Sequence, residues 1–197
     1  MNGMRLLITL TMLAMLLKIL GCSGKKNNEK TPVEKRLTTE IIDKTPDNQL
    51  LQVIFDNLSQ NFSDDYTKEY EVVKSFNQSQ QAIYVIWILE AEINNGGFNQ
   101  YYFNSSGQYA GITPSALKLV GADKFASLVI RANKIYETEH EKITKHQDGT
   151  LDGFSKSYDD NPLNSLDDEF YALYKSENLQ QLQVGFIRKN KSEFIDK

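Results

Sequence analysis

Two stretches of the 197-residue chain carry side chains that could hold a metal ion. His140-Glu141-Lys142-Ile143-Thr144 begins like the helix of a zinc protease, which needs a second His four residues on; Thr144 stands in that place. His146 lies six residues after His140, so the two rings would project from different helix faces, and two surface histidines are the better account. Asp148-Gly149-Thr150-Leu151-Asp152-Gly153 is patterned like the start of a calcium loop, with oxygens at the first and fifth places and Gly at the sixth. Thr150 third, Ser155 eighth, Lys156 ninth and Asp159 in place of a bidentate Glu twelfth depart from that pattern, which favours a plain Asp-Gly turn. The chain carries no nucleophile elbow, phosphate loop or dinucleotide glycine pattern. No catalytic residue, metal or cofactor is therefore expected, and the protein is read as no enzyme.

Charge is the remaining chemistry. Residues 137–177 hold eleven acids against four lysines, net −7, including Asp159, Asp160, Asp167, Asp168 and Glu169. Some of these suit the positive end of a helix, as Asp167, Asp168 and Glu169 would at the start of one. The reading adopted takes Asp159, Asp160, Asp167, Asp168 and Glu169 together as a negative surface that attracts a basic protein partner. An acidic chain with 22 basic and 26 acidic residues is not expected to bind nucleic acid directly.

The sole cysteine has a different chemistry. Cys22 follows Ile19-Leu20-Gly21, and ahead of these runs Leu6 to Leu17, an uncharged apolar run of twelve residues interrupted only by Thr9 and Thr11, behind Arg5. That run is too short for a membrane-spanning helix, which needs about 20 residues, but fits the apolar core of a secretory signal. Small residue then Cys resembles the lipobox of bacterial lipoproteins, where cleavage exposes a cysteine whose thiol carries a diacylglyceryl group. Residues 1–21 are read as signal peptide, and Cys22 as the lipidation site that holds the chain on membrane lipid with palmitate-like acyl chains. The localisation expected is the bacterial cell envelope, outside the cytoplasm. A single Cys also excludes a disulfide framework.

The elements that position these groups follow from periodicity. Residues 22–46 are polar, without apolar repeat, and are expected to be a flexible tether. Residues 47–197, with net charge −8, are expected to form a single compact all-α domain. Asp47 is a candidate cap for a helix with Leu50, Leu51, Ile54, Phe55, Leu58 and Phe62 on one face. A shorter helix is predicted from Ser63 or Asp64 towards Phe76, then a buried central helix from Gln80 to Ile93. Asn95-Gly96-Gly97 is predicted to end it, because Gly enters the left-handed region cheaply. A short aromatic helix over Phe98–Asn104, a helix from Thr113-Pro114 to Gly121, and a long helix from Asp123 follow. Lys145–Ser165 reads as polar and turn-rich, and helices at Leu166–Lys175 and Leu179–Lys189 close the chain.

The segment Trp87-Ile88-Leu89-Glu90-Ala91-Glu92-Ile93-Asn94-Asn95-Gly96-Gly97-Phe98-Asn99-Gln100-Tyr101-Tyr102-Phe103-Asn104-Ser105-Ser106-Gly107 resembles the core motif of the bacterial DNA-mimic protein family. Ala116-Leu117, Val120-Gly121-Ala122, Leu166 to Tyr171 and Ile187 to Asn190 extend the resemblance over most of 47–197. The motif residues are Asn95, Gly96, Gly97, Phe98, Gln100, Asn104 and Gly107. The resemblance implies an all-helical fold, an interaction role and a homodimer as a candidate assembly. Read from the residues, Gly96 and Gly97 make a sharp turn, Phe98 and Phe103 bury rings, and Asn95, Gln100 and Asn104 satisfy backbone ends. Three functions compete: a membrane-anchored acidic interaction module, which is the reading adopted; a cytoplasmic DNA mimic that binds a DNA-binding protein; and a small-ligand site built from Asn95, Gln100, Tyr101 and Asn104.

Overall fold

The computed structural model describes residues 36–63 and 68–195, and the expected signal peptide, Cys22 and most of the expected tether lie outside the described residues. Among the described residues the chain is all-α, with ten helices, two 3₁₀ turns and no strand. The first helix was not expected. Thr38 caps α1 (Thr39–Lys44) by accepting from Ile41 N–H, and Leu37 and Ile42 are buried beneath it. Leu37 to Lys44, expected to belong to a flexible tether, are therefore part of the folded domain. Leu37, Ile41 and Ile42 are too few to set a period among polar neighbours, but the rest of the domain supplies the surface they cover.

Arg188 fastens this arm, donating to Ile42 O and Thr45 O, both at 2.7 Å, and pairing with Asp47. Asp47 was expected to cap the next helix. Instead Pro46 occupies the cap position of α2 (Asp47–Ser59), and the Asp47 side chain faces Arg188. The apolar stripe Leu50, Leu51, Ile54, Phe55 and Leu58 is buried as its spacing requires, with Phe55 stacked on Trp87 at 4.7 Å. α3 (Glu69–Ser75) ends at Phe76 as expected and starts later than predicted, after Lys68; residues 64–67 lie outside the described residues.

α4 (Gln78–Phe103) is the centre of the molecule. Asn77 and Gln80 form a capping box at its start, two residues before the predicted one. It packs against α2, α3, α5 (Thr113–Leu119) and α9 (Asn164–Leu173). α6 (Asp123–Thr138) lies against α5 and α9 through Phe125, Ala126, Leu128, Val129 and Ala132. Its first amide groups are capped by Glu177, which accepts from Lys124 and Phe125 N–H. α7 (His140–Thr144) and α8 (Leu151–Lys156) follow, the latter in a segment expected to be irregular. Thr150 starts α8 by capping Gly153 N–H at 2.9 Å. α10 (Leu179–Lys189) closes over α2. No helix among the described residues is long and apolar enough to cross a membrane.

Candidate functional site

The motif block sits where α4 breaks and resumes. As expected, Gly96 and Gly97 interrupt the helix and Phe98 resumes it: both glycines have non-helical dihedral angles, and the two helical segments of α4 meet there at a kink. Gly96 is extended (φ −162°), whereas Gly97 (φ 69°, ψ −173°) occupies a region open essentially to glycine alone. Three side chains from a distant part of the chain fasten the kink. Tyr171 OH donates to Ile93 O and Tyr158 OH to Gly96 O, each at 2.8 Å. Asp167 Oδ1 accepts from Phe98 N–H at 2.8 Å, capping the resumed helix.

Below the kink lies Glu92, which sequence reasoning passed over. Its Oε2 accepts from Gln100 Nε2 at 2.6 Å and Asn104 Nδ2 at 2.9 Å, and its Oε1 from Ser106 Oγ at 3.0 Å. Asn95 Nδ2 donates to Gln100 Oε1 at 2.7 Å, which extends the chain of bonds to the surface. Burial pushes the Glu92 carboxyl above its ordinary range; the Gln100, Asn104 and Ser106 donors pull it back only in part, and Glu69 adds repulsion. Gln100 and Asn104 are thus occupied by a carboxylate rather than by backbone ends, and Asn95, at the surface, is bonded to Gln100. Two acids, Glu90 and Glu92, within the most apolar stretch of the chain were the available signal, because an acid placed there must find donors.

Glu90 has the same problem and a separate solution, accepting from Tyr174 OH at 2.5 Å and Gln183 Nε2 at 2.8 Å. Burial raises its pKa as well, against the lowering effect of both donors. A third acid, Glu69, accepts from the hydroxyls of Tyr84 and Tyr109, both at 2.9 Å. Asn99, fully buried, donates to Ser157 Oγ at 2.7 Å and accepts from Asn161 Nδ2 at 2.8 Å. Phe98 is buried edge-on against Phe170, and a Cβ on Gly107 would approach the Tyr101 and Tyr102 backbone at 3.2 Å.

The five acids expected to form one surface separate into two groups. Asp167 is spent on Phe98 N–H, and burial raises its pKa, with that bond opposing and Asp168 adding. Glu169 is paired with Arg131. Asp159, Asp160 and Asp168 are exposed, and among the described residues their carboxylates have no hydrogen bond or ion pair. Elsewhere in the acidic segment, Glu137 meets Lys134 and Asp152 meets Lys156. Asp148 Oδ1 accepts from Thr150 N–H and Oγ1–H at 2.8 and 2.7 Å, which makes a closed turn of the calcium-like sequence. The His140 ring packs edge-on against Tyr136. No group of three or more His, Cys, Asp or Glu among the described residues is arranged to hold a metal ion.

Among known proteins, a family model described as DMP19-like protein matches residues 74–190. That span includes the kink, the Glu92 hub and the acidic segment, and begins after α1 and α2. No curated protein and no solved structure matches the chain significantly.

Proposed function

This chain belongs to the DMP19-like protein family, and from that premise we propose that it is a non-catalytic interaction module, held at the cell envelope by a lipid on Cys22. The observation that carries the interaction role is a division of labour among its polar groups. Gln100 and Asn104 donate to Glu92 and Asn95 donates to Gln100, whereas Asp159, Asp160 and Asp168 stay exposed and without an ion pair among the described residues. Side chains already bonded to one another are poor material for a ligand pocket, which weakens the small-ligand alternative. Exposed carboxylates without an ion pair stay hydrated and leave their field uncompensated, and they steer a basic protein partner from a distance.

The anchor rests on the apolar run that ends at Gly21-Cys22. A second reading, a cytoplasmic DNA mimic facing a DNA-binding protein, draws on the family membership alone. Growth with labelled fatty acid, followed by fractionation, separates them. The wild type should carry label in the membrane fraction and Cys22→Ala should lose it. An unlabelled wild-type chain in the cytosol would instead favour the DNA mimic. For the interaction role, the full chain should capture a basic partner from lysate, and capture should fall as salt rises from about 0.05 to about 0.5 M. Capture that is indifferent to salt, or unchanged in a folded Asp159→Asn/Asp160→Asn/Asp168→Asn variant, would refute it. A homodimer is the assembly we propose from the family membership, and size-exclusion chromatography of the full chain in detergent, with light scattering corrected for bound detergent, should read twice the monomer mass.

A further inference from the structure

Gln183, on α10, is completely buried, and its Oε1 has no hydrogen-bond donor among the described residues. Its Nε2 donates to Glu90 Oε2 at 2.8 Å, a bond that joins α10 to the central helix. A buried acceptor without a donor and a buried carboxyl without a cation thus meet at one amide. The groups that touch the carboxyl are neutral: Gln183, and Tyr174, whose ring packs edge-on against Phe125 of α6. Cations on the surrounding elements are engaged elsewhere or exposed. On α10, Arg188 pairs with Asp47 and Lys189 faces solvent. On α6, Arg131 pairs with Glu169 and Lys124 donates to Ser176 O; after α9, Lys175 faces solvent. The acids nearby are also spent, Asp167 on Phe98 N–H and Asp56 of α2 on Gln52. Burial therefore outweighs everything else acting on the Glu90 carboxyl and drives its pKa upward, against the pull of Tyr174 and Gln183.

We infer that Glu90 is held as an uncharged carboxylic acid whose proton is donated to Gln183 Oε1, so that a proton latches α10 to α4. The acid and the amide then exchange two hydrogen bonds, and no buried acceptor is left over. Without the proton, a carboxylate and an unpartnered carbonyl oxygen share the same buried site. Arg188, five positions further along α10, holds Ile42 O and Thr45 O, so the latch also bears on α1. When α10 lifts, Glu90 meets water and returns to its ordinary 4.5, giving its proton to solvent at any higher pH. Opening therefore becomes easier by about tenfold per pH unit above that value, until the carboxyl ionises in place.

Hydrogen exchange of the full chain from about pH 5 to about pH 8, corrected for the intrinsic rate and with α4 amides as reference, tests the latch. Glu90→Gln is the comparison, because its amide can donate to Gln183 Oε1 at every pH and has no proton to lose. Protection of α10 amides should fall with rising pH in wild type by about tenfold or more beyond any fall in Glu90→Gln. The α1 amides should follow α10. Parallel profiles in the two proteins would overturn the inference, and an α1 that stays level while α10 responds would overturn the coupling through Arg188. Where Glu90→Gln does not fold, NMR titration of the Glu90 carboxyl carbon in wild type labelled with carbon-13 glutamate decides the matter. A midpoint well above 4.5 supports the neutral acid, and one at or below 4.5 overturns it.

Discussion

Replacing Gly97 with Ala is the sharpest test of the kink. Two costs arise from separate causes. The backbone at φ 69° and ψ −173° is a conformation that a residue with a Cβ holds only under strain, at about 1–3 kcal/mol. The new methyl also overlaps the Asp167 carboxylate, which must swing away and release Phe98 N–H. A hydrogen bond to a charged group contributes about 1.5–3 kcal/mol, and the half-buried setting of Asp167 puts this one in the lower part of that range. Together the substitution should destabilise the domain by roughly 3–5 kcal/mol, a large share of the ~5–15 kcal/mol typical of a folded domain. In thermal terms that is a drop of roughly 6–20 °C for a domain of this size. Urea unfolding followed by circular dichroism, with equal slopes for the two proteins, measures it. Gly111→Ala is the control, since a Cβ there meets nothing within 4 Å. A Gly97→Ala domain within about 0.5 kcal/mol of wild type would refute both the strain and the steric argument, because that is the ordinary scatter of surface substitutions.

The pH dependence follows from the buried acids. Burial holds the Glu90 and Glu92 carboxyls above their ordinary 4.5, so the fold favours their protonated forms. Their contribution to stability is therefore complete below pH 4.5 and is lost as pH rises through the raised values, so wild type should gain stability relative to Glu92→Gln as pH is lowered from neutral towards 4.5. A difference between the two proteins that stays constant over that range, measured by urea unfolding at each pH, would count against a raised Glu92. Gly185 lies inside α10 with open space where a Cβ would go, so Gly185→Ala should stabilise the domain by up to about 1 kcal/mol in the same assay. Arg188→Gln should cost about 2 kcal/mol through its lost bonds to Ile42 O and Thr45 O, and hydrogen exchange should quicken in α1 before it does in α4.

Much of the fold was legible because it is written at helical spacing. The stripe from Leu50 to Leu58 is buried as its period requires, and the helices over Thr113–Leu119, Asp123–Thr138 and Leu179–Lys189 lie close to where apolar repeats and turn residues put them. The helix α8 was hidden in a polar run, where Gly153 and its neighbours have weak propensity; it depends on the Thr150 cap and on Phe154 packing edge-on against Phe103. At the candidate site, Gly96 and Gly97 announced a turn, yet only one of them needs to be glycine for its dihedral angles. Gly96 is kept small for another reason: a Cβ there would lie 2.5 Å from Tyr158 OH and overlap the Gln100 amide oxygen.

The all-α class, the family and the break in the central helix were determined by the sequence alone, because apolar period and glycine conformation act within a few residues. The partners of that break were decided by the tertiary structure. Asp167 reaches Phe98 from 69 positions away, Tyr171 reaches Ile93 from 78, and Gln183 reaches Glu90 from 93. The same packing took Asp167 and Glu169 out of a set of acids that looked uniform along the chain and left Asp159, Asp160 and Asp168 facing solvent. A carboxylate's role depends on which donors surround it in space, and local sequence carries no term for donors that chain folding brings from far away.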